Sequence, residues 1–230
     1  MNDNSQSIIL QTLSEHGLFS ACDPSLLASA VSGCQLLSFS EGTELKRYDE
    51  KPFLCIIRTG SAYVYSKERT SDLLIRILKA GDTFGVATLF GNSGASAVTK
   101  IIAAEETQAV CMSEEIVRRL IQSDSDLAMR YIDFLADRIR FLNKRIACLG
   151  AGSAEDKVCA WLLNQLPANS EACTYTLPMS LSQLADILGL GRASLYRALD
   201  ELEAHGILQR KGKILHIPCR SALRTYGRGS

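Results

Sequence analysis

Residues that could hold a metal are scarce in this 230-residue sequence. It has three histidines, His16, His205 and His216, and no two of its eight cysteines are closer than 11 residues. Zinc and iron–sulfur sites are built on close ligand pairs such as Cys-x-x-Cys, because two ligands on one turn organise the metal. The sequence therefore predicts neither a metal nor another cofactor, and it shows no Ser/His/Asp or Cys/His arrangement for catalysis.

Long apolar segments are also missing. No run approaches the ~18 apolar residues that span a bilayer, and residues 1–7 are polar, without the basic start of a signal peptide. These features predict a cytoplasmic protein with no membrane contact, whose cysteines are mostly reduced. We expect most of the thiols to be small buried hydrophobic groups, and whether one of them senses redox state stays open.

Net charge is absent overall but not locally. The chain has 25 Lys and Arg against 25 Asp and Glu, yet from residue 192 onward eight cations face three anions, a net charge of +5. A basic end on a neutral protein suits an anionic partner such as nucleic acid. A short cationic tail can also be merely solvated, so the charge alone does not decide.

Residues 36–112 are predicted to form short antiparallel strands. The stretches "FLCIIRTGSAYVYS" and "LLIRILKAGDTFG" are rich in β-branched and aromatic residues and are interrupted by glycines. Strands this short and close together indicate a barrel or jelly roll. A metal-dependent enzyme on such a roll would need several inward-facing ligands, and no histidine lies in these strands. We therefore expect no enzyme.

A long helix is predicted from Ser123 to about Leu149. Its heptad pattern places isoleucine at a and leucine at d, at Ile132, Leu135, Ile139, Leu142, Ile146 and Leu149. This pattern favours parallel two-stranded coiled coils, although a helix buried in its own domain is an alternative. A second stripe, at Phe134, Phe141 and Cys148, would pack on the strands. We expect the heptad stripe to form the interface of a homodimer.

After the hinge at residues 150–153, the sequence predicts a helix in "AEDKVCAWLLNQL" and a strand in "CTYTL". Two short helices are predicted to follow that strand. Ser180 and Gln183 form a capping-box pattern that begins the first of the two. Ala185 is small where a second helix would cross, and Gly189 fits a left-handed turn. Together with Leu195 on the returning face, these offsets indicate a helix-turn-helix.

The second helix, residues 192–203, is predicted to read DNA. On a helical wheel its buried face holds Leu195, Ala198, Leu199 and Leu202, and the opposite face holds Arg192, Ala193, Tyr196 and Arg197. Arginine and tyrosine near a helix N-terminus suit base edges and phosphates in the major groove. Ser180 and Ser194 could reach the DNA backbone. The segment "GILQRKGKILHI" would be a basic wing that sets Lys211 and Lys213 on phosphates.

The order of these segments resembles the CRP/FNR family of bacterial transcription regulators. The likeness rests on "LFSACDPSLLASAV", "IIRTGSAYVYSKERTSDLLIRILKAGDTFGVATLF", the long helix and "LSQLADILGLGRASLYRALDELEAHGIL". It implies an α+β protein with three parts: an antiparallel β jelly roll of the cyclic-nucleotide-binding kind with N-terminal helices (1–122), a dimerisation helix (123–150) and a winged helix-turn-helix (151–230). It also implies an inverted-repeat DNA site, a small-molecule effector and, for an activator, contact with RNA polymerase.

Departures from the family pattern argue against cyclic AMP as the effector. Members that bind it carry a glutamate for the ribose hydroxyl and an Arg–Ser pair for the phosphate. Here the matching residues are Val86 for the glutamate, and Ser96 and Ala97 for the pair. A buried cyclic phosphate would then be an unpaired charge. The polar residues that meet the adenine are replaced by Leu142 and Asn143.

The effector pocket is predicted by the same correspondence. Its lining would be Val86, Thr88, Leu89, Ser96, Phe134 (or Phe141), Leu142 and Asn143. This apolar bias indicates an uncharged or aromatic effector, as in members that sense halogenated phenols. Cys22 and Cys34 do not match the cysteine spacing of the iron–sulfur oxygen sensors, and His16 is poorly placed as a haem ligand. A sensor or scaffold that uses the winged helix for protein contacts is the alternative function.

Overall fold

The computed structural model describes residues 3–45, 53–66, 73–90, 99–167 and 171–227. Within these ranges the helices are α1 (Asp3–Glu15), α2 (Pro24–Val31), α3 (Glu114–Ser123), α4 (Ser125–Leu149), α5 (Ala154–Gln165), α6 (Leu181–Leu188), α7 (Arg192–Ala204) and α8 (Arg220–Tyr226). The strands are β1 (Cys34–Phe39), β2 (Phe53–Thr59), β3 (Ser61–Ser66), β4 (Leu74–Lys79), β5 (Thr83–Phe84), β6 (Thr99–Ala103), β7 (Thr107–Ser113), β8 (Cys173–Thr176), β9 (Gln209–Lys211) and β10 (Ile214–Ile217).

The chain divides into two compact units, Met1–Asp137 and Arg138–Ser230. The first holds an antiparallel β-roll with helices, and the second holds a helix-turn-helix and a small three-stranded sheet. The predicted α+β class and the order of its parts are confirmed. The predicted boundaries at residues 122 and 150 stay a prediction.

Two antiparallel sheets form the β-roll. One has the strand order β1-β7-β2-β5 and the other β4-β3-β6. Strand β2 contributes to two cores: Leu54 and Ile56 pack with the helices, whereas Cys55 and Ile57 pack with residues of the second sheet. Both faces of β2 are therefore covered, which explains why its sequence is a continuous apolar run without polar alternation.

The long helix α4 begins two residues later than predicted. Ser123 is the last residue of α3, and Asp124 has an extended backbone that separates the two helices. The Asp124 carboxylate accepts a hydrogen bond from the Leu127 main-chain N–H at 2.9 Å, so this aspartate caps α4.

The cysteines follow the prediction except for one pair. Six are free thiols, and four of these are buried. Cys55 and Cys111 instead form a disulfide across β2 and β7, where the strand register places them directly opposite each other. The two cysteines are 56 residues apart in the sequence, so sequence spacing alone does not predict this disulfide. Burial raises the pKa of the Cys34 thiol to about 12, which keeps it in the unreactive protonated form.

The heptad stripe of α4 faces outward. The fractional exposure is 54% for Ile132, 59% for Ile139 and 68% for Ile146, and Leu135 and Leu142 are also exposed. Contiguous large apolar side chains on one surface mark an interaction site in a soluble protein. Phe134, on the second stripe, packs against the core of the first unit that includes Leu54 and Ile56 of β2.

The second unit is built on α5. Ser153 and Asp156 form a capping box at its start, and Trp161 packs edge-on against Tyr175 of β8 with ring centroids 5.8 Å apart. Strand β10 lies between β8 and β9, all antiparallel. Helix α8, which the sequence analysis did not predict, buries Leu223 completely. No helix in the described ranges is long and apolar enough to cross a membrane.

Candidate nucleic-acid interface

The elbow between α6 and α7 forms as predicted. At the start of α6, the Ser180 hydroxyl accepts from the Gln183 main-chain N–H, while the Gln183 side-chain amide oxygen Oε1 accepts from the Ser180 main-chain N–H. Ala185 is fully buried, and Gly189 closes the helix at φ 62°, in the left-handed region that glycine adopts without strain. The two helices are thus joined by a turn whose geometry each residue type favours.

The two faces of α7 are also as predicted. Leu195, Ala198, Leu199 and Leu202 are fully buried, and their burial fixes the rotation of the helix. The opposite side presents Arg192, Ala193, Tyr196 and Arg197 to solvent. Gly191 supplies no side-chain cap, so the first main-chain N–H groups of α7 stay available to an anion.

The two arginines of α7 differ in their contacts. The Arg197 guanidinium folds back on its own helix, donating to the Ser194 hydroxyl and to the Ala193 carbonyl, each at 3.4 Å. Arg192 has no side-chain partner among the residues that the structure describes. The Arg192 guanidinium can therefore bind a hydrogen-bond acceptor on another molecule directly. Arg197 would first have to give up its two weak contacts with Ala193 and Ser194.

The wing has the predicted turn. Gly212 connects β9 to β10 at φ 61°, and Lys211 and Lys213 on either side of it are exposed. In the described part of the chain neither lysine forms an ion pair. Two uncompensated ammonium groups at a turn are suited to the phosphate backbone.

A neighbouring wing residue was missed by the sequence analysis. The Arg210 guanidinium contacts Asp200 at 2.8 Å and Glu203 at 3.4 Å, and it lies 5.6 Å from the ring centroid of Tyr196. Tyr196, Asp200 and Glu203 are spaced i, i+4 and i+7 along α7 and so share one face. The spacing of these three residues could have indicated a shared binding face on α7. Nothing in the nearby sequence indicated that strand β9 would lie against that face.

The predicted effector residues are only partly together. Leu89 is in the helical core of the first unit, and Val86 and Phe134 pack against that core. Thr88 closes a short 3-10 turn by donating to the Gly85 carbonyl at 2.7 Å. Leu142 and Asn143 are exposed residues of the second unit. Ser96, together with Ala97, lies outside the described residues.

Three aromatic side chains, those of Phe90, Tyr131 and Phe134, lie in or against the core that contains the predicted pocket residue Leu89. Phe90 lies edge-on to Tyr131, with ring centroids 5.9 Å apart, and Tyr131 lies 6.1 Å from Phe134. Burial raises the pKa of the Tyr131 hydroxyl to about 12. No described residue hydrogen-bonds this hydroxyl, which is buried. The Tyr131 hydroxyl is unpaired, and the Arg118 guanidinium lies over the Phe90 ring, 4.9 Å from its centroid.

His16 has a structural role. Its Nδ1 accepts from the Leu18 N–H at 3.2 Å, and its Nε2 lies 3.1 Å from the Gly81 carbonyl oxygen, to which it donates in the neutral form. Burial lowers the pKa of His16, against the opposing effects of that hydrogen bond and of Asp82. No group of three or more His, Cys, Asp or Glu within the described ranges could hold a metal ion.

Comparison with known proteins identifies both halves of the chain. Residues 36–124 match a family model described as a cyclic nucleotide-binding domain, and residues 156–226 match a Crp-like helix-turn-helix domain. These matches correspond to the β-roll and to the elbow with its wing.

The similar curated proteins are regulators of transcription. The "Probable transcriptional regulator flp" of Lacticaseibacillus casei is 24% identical over 178 residues, which are 77% of this chain and 80% of that protein. The CRP-like cAMP-activated global transcriptional regulator of Mycobacterium tuberculosis is 24% identical over 217 residues, 90% of this chain and 94% of that one. A mutant of CooA from Carboxydothermus hydrogenoformans shares the fold, with a TM-score of 0.72, 17% identity and 95% coverage of each chain.

Proposed function

Because the chain belongs to the CRP/FNR family of transcription regulators, we propose that it is a dimeric, effector-responsive regulator in the cytoplasm that binds an inverted repeat of DNA. The observation that carries this proposal is the exposed face of α7. Arg192, Ala193, Tyr196 and Arg197 point away from a helix face that is fully buried, and Lys211 and Lys213 extend the basic surface.

The proposed DNA contacts divide into two kinds. Lys211 and Lys213 bind phosphates, which supplies affinity without sequence information. Arg192, Ala193, Tyr196 and Arg197 face base edges, where an arginine can hold guanine O6 and N7 and a methyl group can contact a thymine methyl. Ser194 adds a backbone contact. Ser180 would do so only by giving up its hydrogen bond to Gln183.

The proposed dimer uses the heptad stripe of α4, from Ile132 to Leu149. A single exposed isoleucine needs no explanation, but Ile132, Leu135, Ile139, Leu142 and Ile146 form an unbroken a/d seam. Two such helices in parallel bury the seam and relate the two copies by a twofold axis. An inverted repeat has the same symmetry, with half-sites about one helical turn or ~34 Å apart.

The proposed effector is an uncharged or aromatic small molecule. Val86 stands where cyclic-AMP binders carry a carboxylate, and the described lining residues Thr88, Leu89 and Phe134 offer no charge. A thermal-shift screen of metabolites and aromatic compounds tests this directly. A ligand at 100 times its dissociation constant stabilises the protein by ~2.7 kcal/mol.

The DNA-binding function is tested by the dependence of affinity on salt. Binding of the full chain to a labelled duplex should weaken linearly on a log–log scale, with a slope near −0.9 for each phosphate contact. Lys211→Gln and Lys213→Gln should each make the slope shallower by ~1.8, because each substitution removes one phosphate contact from both subunits of the dimer. Arg119→Gln, which removes an exposed cation from α3 of the β-roll unit, is the matched control and should leave it unchanged.

A protein-binding scaffold is the competing function, and the same titration separates the two. A scaffold that uses its winged helix for protein contacts would not bind the duplex above background at any salt concentration, so wild type itself would show no slope. If an activator, the dimer would also contact RNA polymerase.

A further inference from the structure

The first wing strand lies over one face of the recognition helix. Arg210, in β9, directs its guanidinium to the stripe formed by Tyr196, Asp200 and Glu203 on α7. Its main-chain N–H also donates to the Glu203 carboxylate at 2.6 Å. Backbone and side chain of one wing residue are therefore both attached to α7.

The charge of Arg210 is compensated where it lies. The side chain is 19% exposed, and two carboxylates, Asp200 and Glu203, contact the same Nη2 atom. A phosphate would have to compete with both of them. Arg210 thus differs from Lys211 and Lys213, which have no acidic partner among the described residues.

The position of the guanidinium determines how Tyr196 is held. It sits over the tyrosine ring at 5.6 Å from the centroid, within the ~6 Å range of a cation–π contact. Tyr196 is nevertheless 46% exposed, and no described residue hydrogen-bonds its hydroxyl. The Arg210 guanidinium therefore covers one face of the ring, while nearly half of Tyr196 stays open to solvent.

We propose that Arg210 is a positioning residue for sequence readout, which holds the Tyr196 ring so that its free side contacts a thymine methyl in the major groove. The inference rests on the proposed DNA-binding function. An aromatic ring is an apolar surface that suits the thymine methyl, the one apolar group at a major-groove base edge. The wing then contributes to sequence preference through Arg210 and to phosphate affinity through its two lysines.

The first experiment measures base preference. Full-length wild type, Arg210→Gln, Arg210→Lys and Tyr196→Ala are each used to select half-sites from randomised duplex DNA. Wild type should prefer thymine at one position, and Tyr196→Ala should lose that preference. Arg210→Gln should weaken it about two- to fivefold, the size of an exposed cation–π contact. Arg224→Gln, at an exposed cation of α8 in the same unit, should select the same sites as wild type.

Arg210→Lys tests whether a cation over the ring is what holds it. Lysine keeps the positive charge beside Asp200 and Glu203 and can make a cation–π contact of its own, but it lacks the planar guanidinium. It should therefore retain more of the thymine preference than Arg210→Gln does. A preference weakened by Arg210→Lys as much as by Arg210→Gln would show that a cation at this position does not hold the ring, and the positioning role would be wrong.

The salt dependence supplies a second readout that a phosphate contact would move. Arg210→Gln should leave the log–log slope unchanged, whereas Lys211→Gln makes it shallower by ~1.8, one contact in each subunit of the dimer. A shallower slope for Arg210→Gln, or equal losses at every base position, would overturn the inference. Wild type that binds DNA with no thymine preference also overturns it, while wild type that binds no DNA contradicts the proposed function itself.

Discussion

The carbonyl oxygen of Ala185 accepts the main-chain N–H of Leu190 at 2.9 Å, across the left-handed turn at Gly189. This bond satisfies a carbonyl at the end of α6 and sets the direction in which α7 departs. Backbone hydrogen bonding across the left-handed Gly189 thus sets the direction of α7. The orientation of Arg192 at the start of α7 follows from it.

The proposed dimer seam is tested by placing an acid in it. Ile139→Asp and Leu142→Asp each put a charge between two apolar helices, where it has no partner, and both variants should be monomeric. Lys144→Asp places the same acid at the outermost heptad position and should stay dimeric. Sedimentation measures all three, and an intact dimer in both seam variants would rule out the parallel pairing.

The capping and DNA roles of Ser180 can be separated. Ser180→Ala removes the cap of α6 and should lower the free energy of unfolding by about 1 kcal/mol. Ser180→Asp retains a capping oxygen, so its stability should stay near that of wild type, but its charge repels phosphate. Thermal melts with DNA affinities check this. Unchanged affinity in the aspartate variant would show that Ser180 is a cap alone.

Cyclic AMP should bind no better than millimolar. The β-roll matches a cyclic nucleotide-binding domain, and the Mycobacterium tuberculosis relative is cAMP-activated by name, so the fold alone would suggest binding. Val86 cannot hold the ribose, and no arginine stands at residues 96 and 97 to pair the phosphate. Calorimetry is the measurement. A micromolar constant that mutation of Val86 and Ser96 abolishes would refute this interpretation of the pocket.

Stability should fall in mild acid because of His16. Burial lowers its pKa in the folded state below the ordinary 6.5 of the unfolded chain. Between these two values the unfolded chain binds a proton that the folded chain does not, so acid favours unfolding. The stability held above pH ~6.5 is therefore lost progressively as the pH falls toward the folded pKa. His16→Gln should show a flatter pH dependence in urea melts, and a dependence as steep as that of wild type would exclude His16 as the cause.

The sequence predicted features whose causes are local, and it missed those that depend on strand register. The capping box at Ser180, the left-handed Gly189 and the buried face through Leu195 each follow from short-range sterics and hydrogen bonding. The disulfide between Cys55 and Cys111 joins residues far apart in sequence, and only the pairing of β2 with β7 brings them together. The contact of Arg210 with α7 likewise depends on where the wing returns.

The effector pocket is the least predictable part for a related reason. Its proposed residues belong to separate parts of the chain, so no local sequence pattern relates them. Val86 and Thr88 belong to a 3-10 turn, Leu142 belongs to α4, and Ser96 lies outside the described residues. Apolar composition predicts the polarity of a ligand but not its shape. The phenol of Tyr131 could be recognised only once its neighbours were known.

The docking of α7 is most directly tested at Ala193. Many members of the family carry a glutamate after the first recognition arginine, and it accepts a hydrogen bond from cytosine N4 and so fixes a G·C pair. Ala193 is exposed, and its side chain cannot accept a hydrogen bond from cytosine, although its methyl group can contact a thymine methyl. Preference for G·C at the facing base pair should therefore be weak in wild type.

The decisive measurement is selection from randomised DNA with wild type and Ala193→Glu side by side. The account predicts an inverted repeat for both proteins, with a G·C preference worth ~1–3 kcal/mol created at one position per half-site by the glutamate. If wild type already demands G·C at that position as strongly as the variant does, Ala193 does not face the bases and α7 is not docked in the major groove as proposed.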